Sequence, residues 1–450
     1  MNLEGKKIAV VGTGVSGIGA VGLLERVGAR VILYDGNAKL DRNAVLAKLP
    51  SGTGAEIVIG ELKDEALSGV SLAVISPGVP IDSPIVRRFE KKGIPVWGEI
   101  ELAYNYEKGT VYAITGTNGK TTTTTLMGEI MRAFNEKTFV VGNIGTSYTG
   151  ETLKTSRDSV TVAEISSFQL ETARSFAPKG TAILNITPDH LDRHYTMENY
   201  IAVKESITRN QGADGFCVLN YDDEILRKFG ETLPNPIYFS RKSKPKRGAY
   251  LDGTMIKYTD GARDIDIIDV NEMFIFGSHN YENAMAAAAL AINAGAPVKL
   301  IADTIRRFRG VEHRIEFVRE KDGAVYYNDS KGTNPDSSIK ALEAMTRPTL
   351  LIAGGYDKHS EFDGFIEAFG GKVKLMVLIG ATAPQIERTA LAHGFDLIRR
   401  ADTLKEAVEI CAESASEGDA VLLSPACASW DMFKSYEQRG ELFKEYVNAL

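Results

Sequence analysis

Val111-Tyr112-Ala113-Ile114-Thr115-Gly116-Thr117-Asn118-Gly119-Lys120-Thr121 sets how the rest of the chain is read. An apolar strand runs into a short glycine loop, and Thr122 to Met131 follows with a helical pattern. Glycines let a loop fold so tightly that its N–H groups face phosphate oxygens at a helix N-terminus. Gly116, Thr117, Asn118, Gly119, Lys120, Thr121 and Thr122 supply such a cradle, with Lys120 to neutralise β and γ phosphates and the Thr121 hydroxyl to ligate Mg2+. The loop is Gly-x-x-Gly-Lys-Thr, shorter than Gly-x-x-x-x-Gly-Lys-Ser/Thr, because Ile114 stands where the longer form has glycine. Strand and helix lie where the chemistry requires them, which favours a nucleoside triphosphate site over a plain turn with a surface lysine.

Upstream, Lys6 to Val11, Gly17 to Val27 and Arg30 to Tyr34 read as strand, helix and strand, so the chain opens as a βαβ unit. Leu72 to Ile75 and Ile94 to Trp97 continue it to a boundary near Gly98. Downstream, Val160 to Ile165, Thr181 to Ile186 and Phe216 to Leu219 are strands, and Asn280 to Asn293 is a helix. Ala324 to Tyr327, Thr349 to Ala353, Leu375 to Ile379 and Ala420 to Leu423 then alternate with helical patterns. The fold class expected is α/β in three domains: Rossmann-like over 1–98, P-loop ATPase-like over 99–310, and Rossmann-like again over 311–450. A length of 450 residues agrees with about 150 per domain.

The formal net charge of -7 argues against a nucleic-acid or membrane surface. The densest basic run, Lys242, Lys244, Lys246 and Arg247, reads as a solvated loop. No apolar stretch is long enough to span a bilayer, and the expected location is cytoplasmic. Cys217, Cys411 and Cys427 lack Cys-x-x-Cys spacing, which fits buried thiols in a reducing compartment.

Gly12-Thr13-Gly14-Val15-Ser16-Gly17 satisfies Gly-x-Gly-x-x-Gly, and Asp35 ends the next strand where dinucleotide folds place a ribose-binding acid. Alone this points to NAD, yet any nucleotide diphosphate suits the same backbone. Mg2+ beside Thr121 calls for an acid at a neighbouring strand end, and Glu164 fits. Asn185-Ile186-Thr187-Pro188-Asp189-His190-Leu191-Asp192-Arg193-His194 is dense in ionisable groups directly after a strand. His190 is a candidate metal or substrate contact there. The residue after His190 is Leu191, so the zinc-helix pattern His-Glu-x-x-His is absent. Lys204, within Asn199 to Ile207, is an ordinary helix lysine on composition alone.

Six segments in order carry a resemblance: Gly116 to Thr123, Glu164-Ile165-Ser166-Ser167-Phe168-Gln169-Leu170-Glu171, His279 to Asn283, His313-Arg314, Asn328-Asp329-Ser330-Lys331, and Ser424-Pro425-Ala426-Cys427-Ala428-Ser429. Together the chain resembles the Mur ligase family over all three domains. The Glu164 to Glu171 segment, Asp329 to Asn334, and Ser424 to Ser429 with Phe433 and Glu437-Gln438-Arg439-Gly440 mark the branch that joins D-glutamate to UDP-N-acetylmuramoyl-L-alanine. No Asp-Asn-Pro-Arg motif of a diamino-acid ligase is found.

The resemblance implies a monomer with two small-molecule substrates, no nucleic-acid or membrane partner, and ATP with two Mg2+ ions. ATP would activate the substrate carboxylate as an acyl phosphate. Lys120 and Thr121 would serve the phosphates and first Mg2+, Glu164 the metal, His190 the second metal, and Lys204 would be the family's carbamylated lysine. Asn280 and Asn283 would contact adenine, Arg314 the γ-phosphate and Asp329 the ribose, with the third domain closing onto the second. Gly14, Val15, Ser16 and Asp35 would surround the uridine end, and Ser76, Gly78, Asn143, Ser166 and Gln169 the sugar and lactoyl group. Lys331, Thr333, Lys358 and Ser429 would receive D-glutamate near Tyr436. Two departures stand out: Gly36-Asn37 replaces the Thr-Arg of some members, and Tyr436 a frequent phenylalanine. Folylpolyglutamate synthase is the nearest rival enzyme, but that type lacks the uridine-binding βαβ domain. An ATP-regulated binding protein would have no need of the Lys331, Lys358 and Ser429 set, and an NAD-linked dehydrogenase would show nicotinamide dependence.

Overall fold

The computed structural model describes every residue except 144–145 and 357–359, together with the side chain of Asp192. The chain forms two compact units, Met1–Asp269 with Glu282–Ile305, and Val270–Tyr281 with Arg306–Leu450. The first unit holds two sheets. β1 (Lys7–Val11), β2 (Arg30–Asp35), β3 (Glu56–Ile59), β4 (Val70–Ile75) and β5 (Val96–Gly98) pair in the order β3-β2-β1-β4-β5, all parallel. Alternate residues of these strands enter opposite cores. Ile8, Val10, Leu33 and Val74 pack on one face, and Ala9, Val11, Ile32 and Ile75 on the other. A sheet covered on both faces needs such near-continuous apolar strands. Strand order reverses between β1 and β4, so a crevice opens beyond their carboxyl ends, at Gly12 and Ser76.

The second sheet is built from β6 (Thr110–Thr115), β7 (Thr138–Gly142), β8 (Val160–Glu164), β9 (Gly180–Ile183), β10 (Phe216–Asn220), β11 (Pro236–Ser240), β12 (Gly248–Asp252), β13 (Met255–Thr259) and β14 (Asp264–Asp269). Their order is β14-β13-β12-β11-β10-β9-β6-β8-β7. The parallel part centres on β6, flanked by β8 and β9, while β13 and β14 add an antiparallel extension. β9 stops at Ile183, short of the Ile186 expected from apolarity. The backbone beyond it turns to accept from the glycine loop, Thr117 N donating to Asn185 O at 2.9 Å. The basic run lies in the β11–β12 connection, its lysines and arginine exposed, with Lys244 paired to Asp264.

In the second unit β15 (Glu316–Lys321), β16 (Ala324–Asn328), β17 (Thr349–Ala353), β18 (Val373–Leu378), β19 (Ile398–Arg400) and β20 (Ala420–Leu423) pair as β15-β16-β20-β17-β18-β19. Only β15 runs antiparallel. β20 lies between β16 and β17, bringing the loops after β16 and β20 side by side. The fold is α/β with three sheets, Rossmann-like at both ends and P-loop-like at the centre. Among the described residues no helix is long and apolar enough to cross a membrane.

Candidate active site

β6 delivers the chain into the glycine loop at its carboxyl end, and the helix Lys120–Phe134 leaves it. Gly119 caps that helix at φ 83°, and a Cβ there would lie 2.3 Å from Asn283 Oδ1, so the position tolerates only glycine. No side chain caps the helix. A helix start whose N-cap carries no side chain leaves room for an anion at its N–H groups. Asn118 N donates to Asn185 Oδ1 at 2.8 Å, pinning the loop to the segment after β9. Thr123 Oγ1 donates to Asn283 Oδ1 at 3.2 Å, which brings the helix Ser278–Asn293 against the same turn. Thr121 and Thr122 lie in the first turn, half-buried.

Two amines meet at one carbonyl. Lys120 Nζ donates to Gly116 O and Thr117 O, each at 2.8 Å, and Lys204 Nζ donates to the same Gly116 O at 2.8 Å. Lys204 is 1% exposed, on the helix Met197–Glu205, with its ammonium 4.7 Å from the Tyr200 ring centroid. Burial, reinforced by the Lys120 charge, pulls its pKa down to about 7. Composition alone makes Lys204 an ordinary helix lysine, and its burial sets it apart.

Glu164 ends β8, and the register sets it opposite Ile114 of β6. Its carboxylate is buried. Asn143 Nδ2 donates to Oε1 at 3.0 Å, while Oε2 makes no hydrogen bond among the described residues. An orphaned buried carboxylate oxygen costs free energy unless a cation or donor meets it, so this donor set fits Mg2+.

His190 takes a left-handed conformation at φ 51°, and its half-exposed ring lies 4.8 Å from that of Phe168. His194, by contrast, is buried. Its Nε2 pairs with Ser167 Oγ at 3.0 Å, and burial holds its pKa below the usual imidazole value. His194 is thus a structural ring, not a partner to His190. Ser166 and Gln169 close a reciprocal cap on the helix Ser167–Leu170. Ser76 Oγ, at the crevice of the first sheet, is buried with no hydrogen bond among the described residues. Nearby, Gly17 must be glycine, because a Cβ would sit 1.9 Å from Gly12 O. Asp35 folds inward, accepting from Thr13 N at 3.1 Å and Thr13 Oγ1 at 2.8 Å. Ser16 Oγ donates to the buried Glu99 at 2.8 Å. Gly14 and Val15 open the first helix, Val15 being exposed, and Gly78 follows Ser76 in the turn after β4.

In the second unit Asp329 follows β16. Ser424 Oγ donates to its Oδ2 at 2.7 Å, and Ile315 N to its Oδ1 at 3.3 Å. Burial outweighs these contacts and the nearby Arg314 charge, pushing the carboxyl up to about 7. Unfolded, it titrates near 3.8, so the native state holds the extra proton between about pH 4 and 7. Stability contributed by this group is therefore full below pH 4 and is lost as pH rises to about 7. Asp329→Asn is expected to flatten that fall, seen as a smaller difference in unfolding midpoint between pH 5 and 7.5.

Arg439, 0% exposed, ties the loop after β16 to the loop after β20. It donates to Ser330 Oγ at 3.0 Å, Ser330 O at 2.8 Å, Cys427 O at 3.2 Å and Ala428 O at 3.4 Å. Lys331 Nζ lies 5.3 Å from the Tyr436 ring centroid, Thr333 N donates to Lys331 O, and Ser429 is buried next to Ala428. The unit thus gathers Lys331, Thr333, Ser429 and Tyr436 around two tied loops. Lys358 lies outside the described residues. Asn280 belongs to this second unit, its Nδ2 donating to Phe276 O at 2.8 Å, whereas Asn283 belongs to the first.

Family models match in three places: the Mur ligase MurD-like N-terminal domain over 6–98, the Mur ligase middle domain over 114–291, and the Mur ligase glutamate ligase domain over 313–427. A UDP-N-acetylmuramoylalanine–D-glutamate ligase of Lachnospira eligens is 60% identical over 451 aligned residues, covering 100% of both chains. The chain belongs to the Mur ligase family. A protein of the same name from Lachnoclostridium phytofermentans is 52% identical, over 100% of this chain and 99% of its own. Among solved Mur ligase structures, UDP-N-acetylmuramate-alanine ligase MurC of Thermotoga maritima superposes with a TM-score of 0.61 at 20% identity, covering 98% and 99% of the chains. A pseudomurein peptide ligase type C of Methanothermus fervidus gives 0.56 at 17%, covering 99% of each. At those identities the likeness establishes the fold.

Seen as a Mur ligase, the chain has site-supporting residues that motif reading missed. Asn185 anchors the phosphate loop, a role that its place at the head of the Asn185–His194 segment did not reveal. Glu99 is buried with no motif around it, and Arg439 was quoted only within a segment that marks the branch, with no role, because nothing in local sequence distinguishes a buried ionisable residue from a surface one.

Proposed function

We propose that the chain is an ADP-forming ligase that joins D-glutamate to UDP-N-acetylmuramoyl-L-alanine in peptidoglycan precursor synthesis. The observation that carries this reading is the convergence of Lys120 and Lys204 on one glycine-loop carbonyl. The relatives' shared name supports the choice of substrates. Lys120 and the N–H groups opening its helix hold the ATP phosphates, with Asn283 at the adjoining turn and Thr122 in the first helical turn. Thr121, Glu164, His190 and a carbamylated Lys204 would hold two Mg2+ ions, which when bound neutralise the charge that develops on phosphoryl transfer to the substrate carboxylate. Carbamylation needs a neutral amine, and a pKa near 7 leaves about half of the Lys204 population unprotonated at pH 7.

The crevice at Gly14, Val15, Ser16 and Asp35 receives the uridine end. Ser76, Gly78, Asn143, Ser166 and Gln169 face the sugar and lactoyl group. Asn280, with Arg314 and Asp329 of the last domain, completes ATP binding, and Lys331, Thr333, Ser429 and Lys358 receive the two carboxylates of D-glutamate. The domains fall at 1–98, 99–310 and 311–450. Both nucleotides are cytoplasmic metabolites, which supports a cytoplasmic enzyme, and we read it as a monomer acting on small molecules.

Phosphate release with ATP, UDP-N-acetylmuramoyl-L-alanine and a panel of D- and L-amino acids tests the reading. Release that needs both the uridine substrate and D-glutamate is expected. Release independent of either overturns it. Glu164→Gln keeps the Asn143 contact but weakens the anionic oxygen, and is expected to raise the half-saturating Mg2+ concentration by about 10-fold. A Mg2+ titration of initial rate checks this.

A further inference from the structure

Arg193 joins three segments that the proposed reaction treats separately. Its Nε and Nη2 donate to Glu171, at 3.2 and 2.5 Å, and that pair is almost wholly buried. Nη2 also donates to Val79 O at 3.1 Å and Pro77 O at 3.5 Å, in the loop after β4 of the first sheet. The guanidinium lies 4.8 Å from the centroid of the Phe168 ring, in the segment that carries Ser166 and Gln169. A second tie runs beside it, Tyr195 OH donating to Asp82. Ser76, Gln169, Phe168 and Arg193 line one narrow crevice, with Ser76 and Gln169 on opposite sides of the junction between the first two sheets.

We propose that Arg193 is a positioning residue that sets the spacing between the two walls of this cleft, and so tunes recognition of the acylated amino-sugar part of the uridine substrate. The proposal rests on the ligase reading for the identity of that substrate. Arg193 acts through others. Its Nε and Nη2 donors are committed to Glu171 and to the two main-chain carbonyls, and what it delivers is the register of Ser76 against Gln169. A planar fork does this because it meets a carboxylate on one side and carbonyls on the other while stacking on an aromatic face. The Lys ammonium, a single point charge, cannot hold all three at once.

The test compares two ligands that share a head and differ in tail. UDP alone engages the crevice at Gly12 to Gly17 and reports on the uridine end. UDP-N-acetylmuramoyl-L-alanine also spans the cleft. Equilibrium binding of each is measured on wild type and Arg193→Lys, without ATP, alongside KM for the uridine substrate and for ATP. Expected is a weakening of at least about 10-fold for the full substrate, mirrored in its KM, with UDP affinity and ATP KM within about twofold of wild type. A folded Arg193→Lys that binds the full substrate as wild type does overturns the proposal, as does an equal loss for UDP. Should Arg193→Lys not fold, Glu171→Gln carries the same comparison, since it breaks the ion pair and leaves the guanidinium in place. It is expected to weaken the full substrate by at least about threefold, again sparing UDP, and no change there is equally fatal. Wild type that binds UDP but neither binds nor ligates the full substrate overturns the ligase reading itself.

Discussion

Lys120→Ala lowers turnover by at least about 10²-fold, the usual loss when a preorganised charge at a phosphoryl-transfer centre is removed. The size follows from where the ammonium is held. Gly116 O and Thr117 O grip it at 2.8 Å each, so the charge is fixed beside the uncapped start of the helix and loses little freedom on meeting a phosphate. Lys120→Arg is expected to recover little, because a planar fork does not fit between two carbonyls that suit a compact ammonium. The signature sought is a fall in kcat larger than the rise in ATP KM, as for a contact that strengthens in the transition state. Turnover equal to wild type would remove the glycine loop from the mechanism.

Lys204→Ala is expected to lose activity on the same scale, with a distinguishing second part. Short carboxylic acids added to the assay are expected to restore part of the rate by occupying the space of the missing carbamate. Undiminished activity without any acid would exclude a role for the side chain. Stability moves the other way. The amine titrates near 7 in the native state and near 10.5 when unfolded, so the unfolded chain binds more protons between these values. Stability therefore rises with pH from 7 to 10.5, and the penalty of the buried charge is fully present below 7. Lys204→Met is accordingly expected to melt higher than wild type at pH 6 and to show a shallower dependence on pH. A protein whose melting temperature falls on this substitution at pH 6 would contradict the burial argument.

Much of this architecture is legible in the residues, unevenly. Doubly covered parallel strands such as Val160–Glu164 and Thr349–Ala353 announce themselves, because burial on both faces demands continuous apolarity. The antiparallel β13 and β14 do not. Asp264-Ile265-Asp266-Ile267-Ile268-Asp269 begins to alternate charge with aliphatic side chains, but the doubled Ile267-Ile268 breaks the period where the register with β13 shifts, so too short a run is left to mark a strand. At the site, Gly116 to Thr121 and Glu164 are readable because loop chemistry and a strand end are local properties. Lys204 and Arg193 are not. Their meaning comes from partners 88 and 22 residues away, and helix periodicity carries no information about an acceptor that another segment presents.

The buried Arg439 guanidinium has a consequence for how the last domain breathes. Four of its acceptors belong to Ser330, Cys427 and Ala428, and burial alone brings its pKa down to about 10, so opening either loop would strand a desolvated cation. The two loops must then open together, as one cooperative unit. Amide hydrogen exchange at Ser330 and Tyr356, whose N–H donates to Ala428 O, is expected to proceed with one shared opening free energy, and ordering of either loop would be inherited by the other.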